Sequence, residues 1–210
     1  MILKAKSYNL KAGHAHFRVR AGFSLIEMMV VLTIFGIMTA VVLANFPAFR
    51  DKTALDLIAQ EIATTIRQAQ VYGIGTRAAG AGTSQSFSSY GIYLNPTNTP
   101  DFELDNKSFI LYSDNGSTPN NYDIDDSLIE KFVIRGGAEI SVLQGCIVDC
   151  VSPVPDLLTD LNILFQRPYP EANFGVTAYS YVKIVIKSTR TGDERTIEVW
   201  NTGQIVVKPI

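Results

Sequence analysis

The sequence predicts an α+β protein: one long N-terminal helix followed by an antiparallel β-sheet head. Three observations carry this reading. From Phe23 to Phe46 the chain is almost continuously apolar. From Leu55 to Ala69 apolar residues recur at helical spacing. Beyond Gly73 the pattern changes to short alternating runs separated by turn residues. The length of 210 residues suits one domain with appendages. An apolar fraction of 47% with 18% charged residues excludes a wholly disordered chain.

The first element, residues 1–22, is a basic leader. It holds Lys4, Lys6, Lys11, Arg18 and Arg20 and no acid, whereas the rest of the chain has 13 bases against 20 acids. The bland formal charge of −2 is thus a +5 head on a −7 body. Such asymmetry is a topological signal. Both histidines, His14 and His16, also lie in the leader.

The second element is the apolar run, residues 23–46, whose only charge is Glu27. At about 1.5 Å per residue it reaches roughly 36 Å, enough for a hydrocarbon core of about 30 Å. A buried core helix is the alternative, but 18 or more consecutive apolar residues point to a membrane span. Bases before the span and none in its first half predict a cytoplasmic N-terminus and an outward-facing remainder. A secretory signal would place small residues after the apolar run. Here NFPAFRDK follows it, and the small residues, Ala21-Gly22, precede Phe23. A cut after Gly22 would remove the leader and leave the whole apolar helix on the mature chain.

The third element, residues 47–75, is the soluble half of the same helix. Leu55, Ile58, Ile62, Ile66 and Ala69 share one face. Pro47 lacks a backbone donor, so one bent helix is expected from about Phe23 to Tyr72. Gly73-Ile74-Gly75 is expected to end it. The fourth element, residues 76–210, is the β-rich head. Strands are expected at Phe87–Leu94, Ser108–Ser113, Leu128–Ile134, Ile140–Leu143 and Leu161–Arg167. The last three, Tyr181–Lys187, Thr196–Trp200 and Gln204–Lys208, are expected to form an antiparallel meander. Val182, Ile184 and Ile186 should face one way, and Tyr181, Lys183, Val185 and Lys187 the other.

Gly22-Phe23-Ser24-Leu25-Ile26-Glu27, followed by MMVVLTIFGIMTAVV, resembles the class III signal of type IV pilins and type II secretion pseudopilins. The resemblance implies that a prepilin peptidase cuts between Gly22 and Phe23 and N-methylates Phe23. It places Glu27 at the family's acidic fifth position. Gly36 matches a helix-breaking glycine of the family, and Pro47 stands a few residues beyond the usual proline. The head, with YGIYL, FILYSDNGS and a closing hairpin, is similar to H-type pseudopilins and FimT-like minor pilins.

A carboxylate in lipid costs several kcal/mol unless it is paired or protonated. Cleavage would create a partner, the α-amino group of Phe23. In a staggered stack of helices, Glu27 of one subunit would meet that amine on its neighbour and fix the axial register. A carboxylate solvated at the headgroup boundary is the alternative.

Other constellations carry less. Cys146 and Cys150, four apart in a turn-like segment, favour a local disulfide over free thiols. With no other cysteine and no histidine after the leader, zinc lacks its usual ligands, so no metal is expected. Asp114, Asn115, Asp123, Asp125 and Asp126 form an acidic stretch read as solvated turns, since its spacing differs from a calcium-binding EF-hand. Asn115-Gly116-Ser117 is formally a glycosylation sequon. A mature chain without histidine cannot build a Ser-His or Cys-His pair, so no catalytic residue, cofactor or enzymatic activity is expected. Lys183, Lys187, Arg190, Arg195 and Lys208 could contact DNA, but the net −7 body repels phosphate at long range.

The expectation is therefore a minor pilin or pseudopilin of the cytoplasmic membrane, single-pass, with the head outside. Its implied partners are a prepilin peptidase, other pilins or pseudopilins, and a membrane assembly platform with an ATPase. Two alternatives stand beside it: a DNA-capturing minor pilin of an uptake machine, and an unprocessed single-span protein with an extracytoplasmic binding head.

Overall fold

The computed structural model describes residues 22–75, 89–97, 104–115, 118–148, 150, 155–175 and 178–209. The leader before Gly22, residues 87–88 of the first expected strand, and Gly116-Ser117 of the sequon lie outside them. Helix α1 spans Leu25–Ile74 and continues through Gly36 and Pro47. Among the described residues ten strands follow: β1 (Ser89–Leu94), β2 (Ser108–Asp114), β3 (Ser127–Val133), β4 (Ala138–Cys146), β5 (Asp156–Leu157), β6 (Leu161–Phe165), β7 (Ala172–Asn173), β8 (Tyr181–Ser188), β9 (Glu194–Trp200) and β10 (Ile205–Pro209). This is the α+β, pilin-like layout. The chain divides into two units that meet between Ala44 and Asn45.

In the first unit the helix is apolar all round. No charged residue stands between Glu27 and Arg50. The large apolar side chains from Phe23 to Leu43 are 49–78% exposed. A helix of this kind needs a surrounding other than water. Among the described residues it is the one helix long and apolar enough to cross a membrane. Its Thr33 hydroxyl donates to the Met29 carbonyl at 2.7 Å, so that polar group is satisfied within the helix.

In the second unit the same helix is amphipathic. Leu55, Ile58, Ile62, Ile66 and Ala69 are each at most 7% exposed, and Ala59 and Ala63 fill the space between them. Each buried Leu or Ile contributes roughly 1.5–3 kcal/mol. Two five-stranded antiparallel sheets cover this ridge, ordered β3-β2-β1-β6-β7 and β10-β9-β8-β4-β5. Ile92, Phe109 and Ile163 from the first sheet and Ile140, Ile184 and Ile197 from the second join the helix in one core. Gly136 and Gly137, at φ +82° and +77°, turn the chain from β3 in one sheet to β4 in the other.

The central strands of the first sheet, β1, β2 and β6, are buried on both faces, while its edge strand β3 is largely exposed. Behind it Tyr93, Ile110, Tyr112 and Leu164 form a second cluster, covered by Leu104 and Tyr122 from the loops. The second sheet keeps the alternation read from sequence: Val182, Ile184 and Ile186 are fully buried, while Lys183, Val185 and Lys187 are half-buried. Tyr181 is the exception on that outer face. Stacking on Trp200, with ring centroids 4.5 Å apart, buries it.

Polar contacts fix the helix against the sheets. Arg190 pairs with Asp51 at 3.4 Å, and Arg195 pairs with Asp56. At the other end, Gln70 Nε2 donates to the carbonyls of Pro170 at 3.1 Å and Gly203 at 3.2 Å.

Several sequence expectations are corrected. The head has two sheets where one was expected. The helix begins at Leu25 rather than Phe23 and ends at Ile74 rather than Tyr72. Strand β4 extends to both sides of Ile140–Leu143, because β8 offers it partners from Ala138 to Cys146. Strand β6 stops at Phe165 rather than Arg167. The two-residue strands β5 and β7 were not expected at all.

The closest helix–sheet approach on a glycine is at Gly73. A methyl there would collide with the Phe165 carbonyl and lie 2.8 Å from the Phe165 Cβ. Gly73→Ala is expected to lower stability by about 1–3 kcal/mol, because backbone must move. Ile66→Ala should cost about 2–5 kcal/mol. Leu57→Ala, at a side chain 66% exposed, should stay within about 0.5 kcal/mol. Denaturant unfolding of the detergent-solubilised protein, read by the single tryptophan Trp200, checks all three.

Candidate functional site

The candidate site is the start of the helix. Gly22, Phe23 and Ser24 precede the first helical residue and are exposed. Nothing lies within 4 Å of the position a Gly22 Cβ would take. Phe23 is 78% exposed. The Gly22–Phe23 peptide bond therefore sits in accessible, non-helical backbone, the state in which peptidases take their substrates.

Ser24 is the residue that sequence reasoning passed over. Its carbonyl accepts from the Met28 N–H at 3.1 Å, which makes it the residue that caps the helix. Ser24-Leu25-Ile26-Glu27 has the S-x-x-E spacing of a capping box. That spacing is the local sequence signal for the cap. Glu27 lies in the first helical turn and is exposed. A carboxylate here suits the positive end of the helix dipole. Phe23 lies outside the helix, although the helix was expected to begin there, so its backbone is not part of the turn that carries Glu27.

The remaining singled-out residues lie elsewhere. Cys146 and Cys150 are paired as a disulfide with Cα atoms 5.0 Å apart. The loop they close is held by the Ser180 hydroxyl, which donates to the Ile147 carbonyl. The basic residues near the C-terminus are engaged with acids. Lys187 meets Glu194 at 3.5 Å, Lys208 meets Glu198 at 2.7 Å, and Arg190 and Arg195 hold the helix aspartates. Lys183 stands 5.7 Å from the centre of the Tyr181 ring.

In the acidic stretch, carboxylates accept backbone N–H groups. Asp123 accepts from Thr118 at 2.9 Å and Asp125 at 3.0 Å; Asp126 accepts from Asn115 at 3.0 Å and Asp123 at 2.9 Å. The oxygens close turns. No group of three His, Cys, Asp or Glu suited to a metal occurs among the described residues.

Residues 17–43 match the family model of the prokaryotic N-terminal methylation motif. This is the class III signal of type IV pilins, and it supports a pilin-like precursor. No curated protein and no solved structure matches the chain.

The acidic turn carries a pH dependence. The Thr118 N–H, then that of Asp125, hold the Asp123 carboxyl below its ordinary value. Burial raises Asp114, against the Asn120 N–H that lowers it. A lowered carboxyl stabilises the fold above its unfolded value, and that gain is lost as pH falls through the lowered one. A raised carboxyl contributes below its unfolded value and loses that contribution as pH rises through the raised one. Amide protection over residues 118–126, the exchange rate taken relative to the intrinsic rate at each pH, is thus expected to fall below about pH 4, the ordinary aspartate range. Asp123→Asn should flatten that acid limb, and hydrogen-exchange mass spectrometry across pH reads it.

Proposed function

We propose that this pilin-like precursor is a minor pilin or pseudopilin, a structural subunit of a type IV pilus or type II secretion pseudopilus. The observation that carries the reading is an exposed Gly22–Phe23 bond directly ahead of a helix whose one charge before Arg50 is Glu27. A prepilin peptidase cuts that bond and methylates Phe23. The anchored subunit waits in the cytoplasmic membrane with its head outside. An assembly platform driven by a cytoplasmic ATPase then packs its helix among those of other pilins.

The helix itself supports packing. On the face opposite the ridge, Leu57, Thr64 and Val71 recur every seven residues, and all three are exposed. Leu57 and Val71 are each 66% exposed. A seven-residue repeat is the spacing by which one helix seats on another. In the apolar half, Glu27 pairs with the α-amine of Phe23 on the neighbouring subunit. That pairing neutralises both groups where lipid would penalise either alone.

The test separates charge pairing from helix capping. Glu27→Gln keeps the side chain a capping box needs and removes the charge. N-terminal sequencing should still find Phe23 as the first residue of Glu27→Gln. Sheared filament fractions should lack the variant while containing the wild-type subunit. Normal incorporation of Glu27→Gln would reject the charge pair and leave capping as the residue's role. An uncut N-terminus in the wild-type protein would reject the whole reading.

A further inference from the structure

The head carries a cleft of about 730 Å³ between the β6–β7 loop, the β7–β8 loop and the β9–β10 turn. It lies at the helix's C-terminal end, where Gln70 holds Pro170 and Gly203. By helical rise, Gln70 is about 38 Å along the helix from Asn45, where the chain enters this unit. Assembly through the helix makes no use of this cleft. We infer that it is a binding site for a neutral oligosaccharide.

Its lining selects that class. The buried rings of Phe174 and Tyr179 form an apolar floor, and Tyr169, 64% exposed, offers a ring on the rim. Around them stand the amides of Gln166, Asn173 and Asn201. Each amide presents both donors and an acceptor, which matches sugar hydroxyls that also do both. An aromatic face against the apolar C–H face of a sugar ring completes the match. The volume falls within the usual range for small-ligand sites. A smaller cavity of about 140 Å³ adjoins the same residues Phe174, Gly175 and Tyr179.

The Asn173 amide and the Asn201 backbone are held in place, which lowers the ordering cost of binding. Asn173 accepts from the Gly175 N–H at 3.0 Å and donates to Asn120 at 3.3 Å. Asn201 has both backbone groups engaged: its N–H donates to Ser180 at 2.9 Å and its carbonyl accepts from Ala172 at 2.8 Å. Its side chain is left exposed on a fixed backbone.

Charge and edge chemistry argue against the other ligands. The lining holds one cation, Arg167, and one acid, Glu171. Arg167 spends one N–H on the Gly75 carbonyl at 3.0 Å, and Glu171 offsets its charge, so the described lining carries no net positive charge to favour phosphate or sulfate. A peptide added as a further strand would need a free strand edge. Strand β7 is two residues long, and its Ala172 N–H is bonded to Asn201.

The full-length protein in detergent is applied to an array of neutral oligosaccharides built from glucose, galactose, mannose and N-acetylglucosamine. Sulfated glycans, single-stranded DNA and extended peptides are printed beside them. Retention on a subset of the neutral glycans is expected, displaced by the same glycan free in solution. Tyr169→Ala and Asn201→Ala should each weaken it about tenfold or more, with Trp200-monitored unfolding unchanged, and Tyr169→Phe should retain it. Retention on no neutral glycan overturns the proposal. So does equal retention by both alanine variants, or preference for sulfated glycans, DNA or peptide. Glu27→Gln should bind glycans as the wild type does, so failure of the assembly reading and failure of this one are distinguishable.

Discussion

One helical ridge organises the head. Leu55, Ile58, Ile62, Ile66 and Ala69 present a continuous apolar stripe that must be removed from water. A single twisted sheet with one buried face could cover such a stripe. Here two sheets share it, and the core they form with the helix is continuous. The consequences follow in order. The chain must cross between sheets, which Gly136 and Gly137 allow within a four-residue link. The helix must approach β6 closely, which forbids a side chain at Gly73. The first sheet then needs a second cover, supplied by Leu104 and Tyr122.

The same helix meets two different demands along its length. Before Ala44 it is apolar on every side, and after Asn45 it is apolar toward the core. The change occurs at the first charges after Glu27. Arg50 lies 5.9 Å from the ring centre of Phe46, and Asp51 is buried against Arg190. Isolated surface pairs contribute little to stability. The value of Asp51–Arg190 and Asp56–Arg195 is therefore geometric: they set the rotation of the helix on the sheets. They also use up cations that sequence alone had offered to DNA.

How much of this was legible depended on whether the signal was local. The ridge was readable because spacings of three and four residues report one helix face directly. The outer and inner faces of β8 were readable from strict alternation. The N-terminal site was readable because Gly22, Phe23 and Glu27 fall within one six-residue stretch. Sheet order was not readable, since nothing in SYGIYL says that β1 pairs with both β2 and β6. Its burial on both faces also erases the alternation that would mark it as amphipathic. Strands β5 and β7 are too short for any period. The cleft was invisible because Tyr169, Asn173 and Asn201 come from the β6–β7 loop, strand β7 and the β9–β10 turn and share no motif.

The position of Glu27 has a further consequence for the order of events under the proposed reading. Before the cut, the nitrogen of Phe23 is a neutral amide and Glu27 has no cation to meet. After the cut it is an α-amine with an ordinary pKa near about 8, and so largely charged at neutral pH. Methylation of an amine keeps its charge while changing its bulk, as it does for lysine. The group that fixes register thus comes into existence only when the leader leaves. An unprocessed subunit carries a solitary acid at the helix start and a +5 segment that belongs on the cytoplasmic side. Both oppose drawing the helix outward into a stack. Removing the leader abolishes the second and supplies the partner for the first, so one bond cleavage makes the subunit competent to assemble.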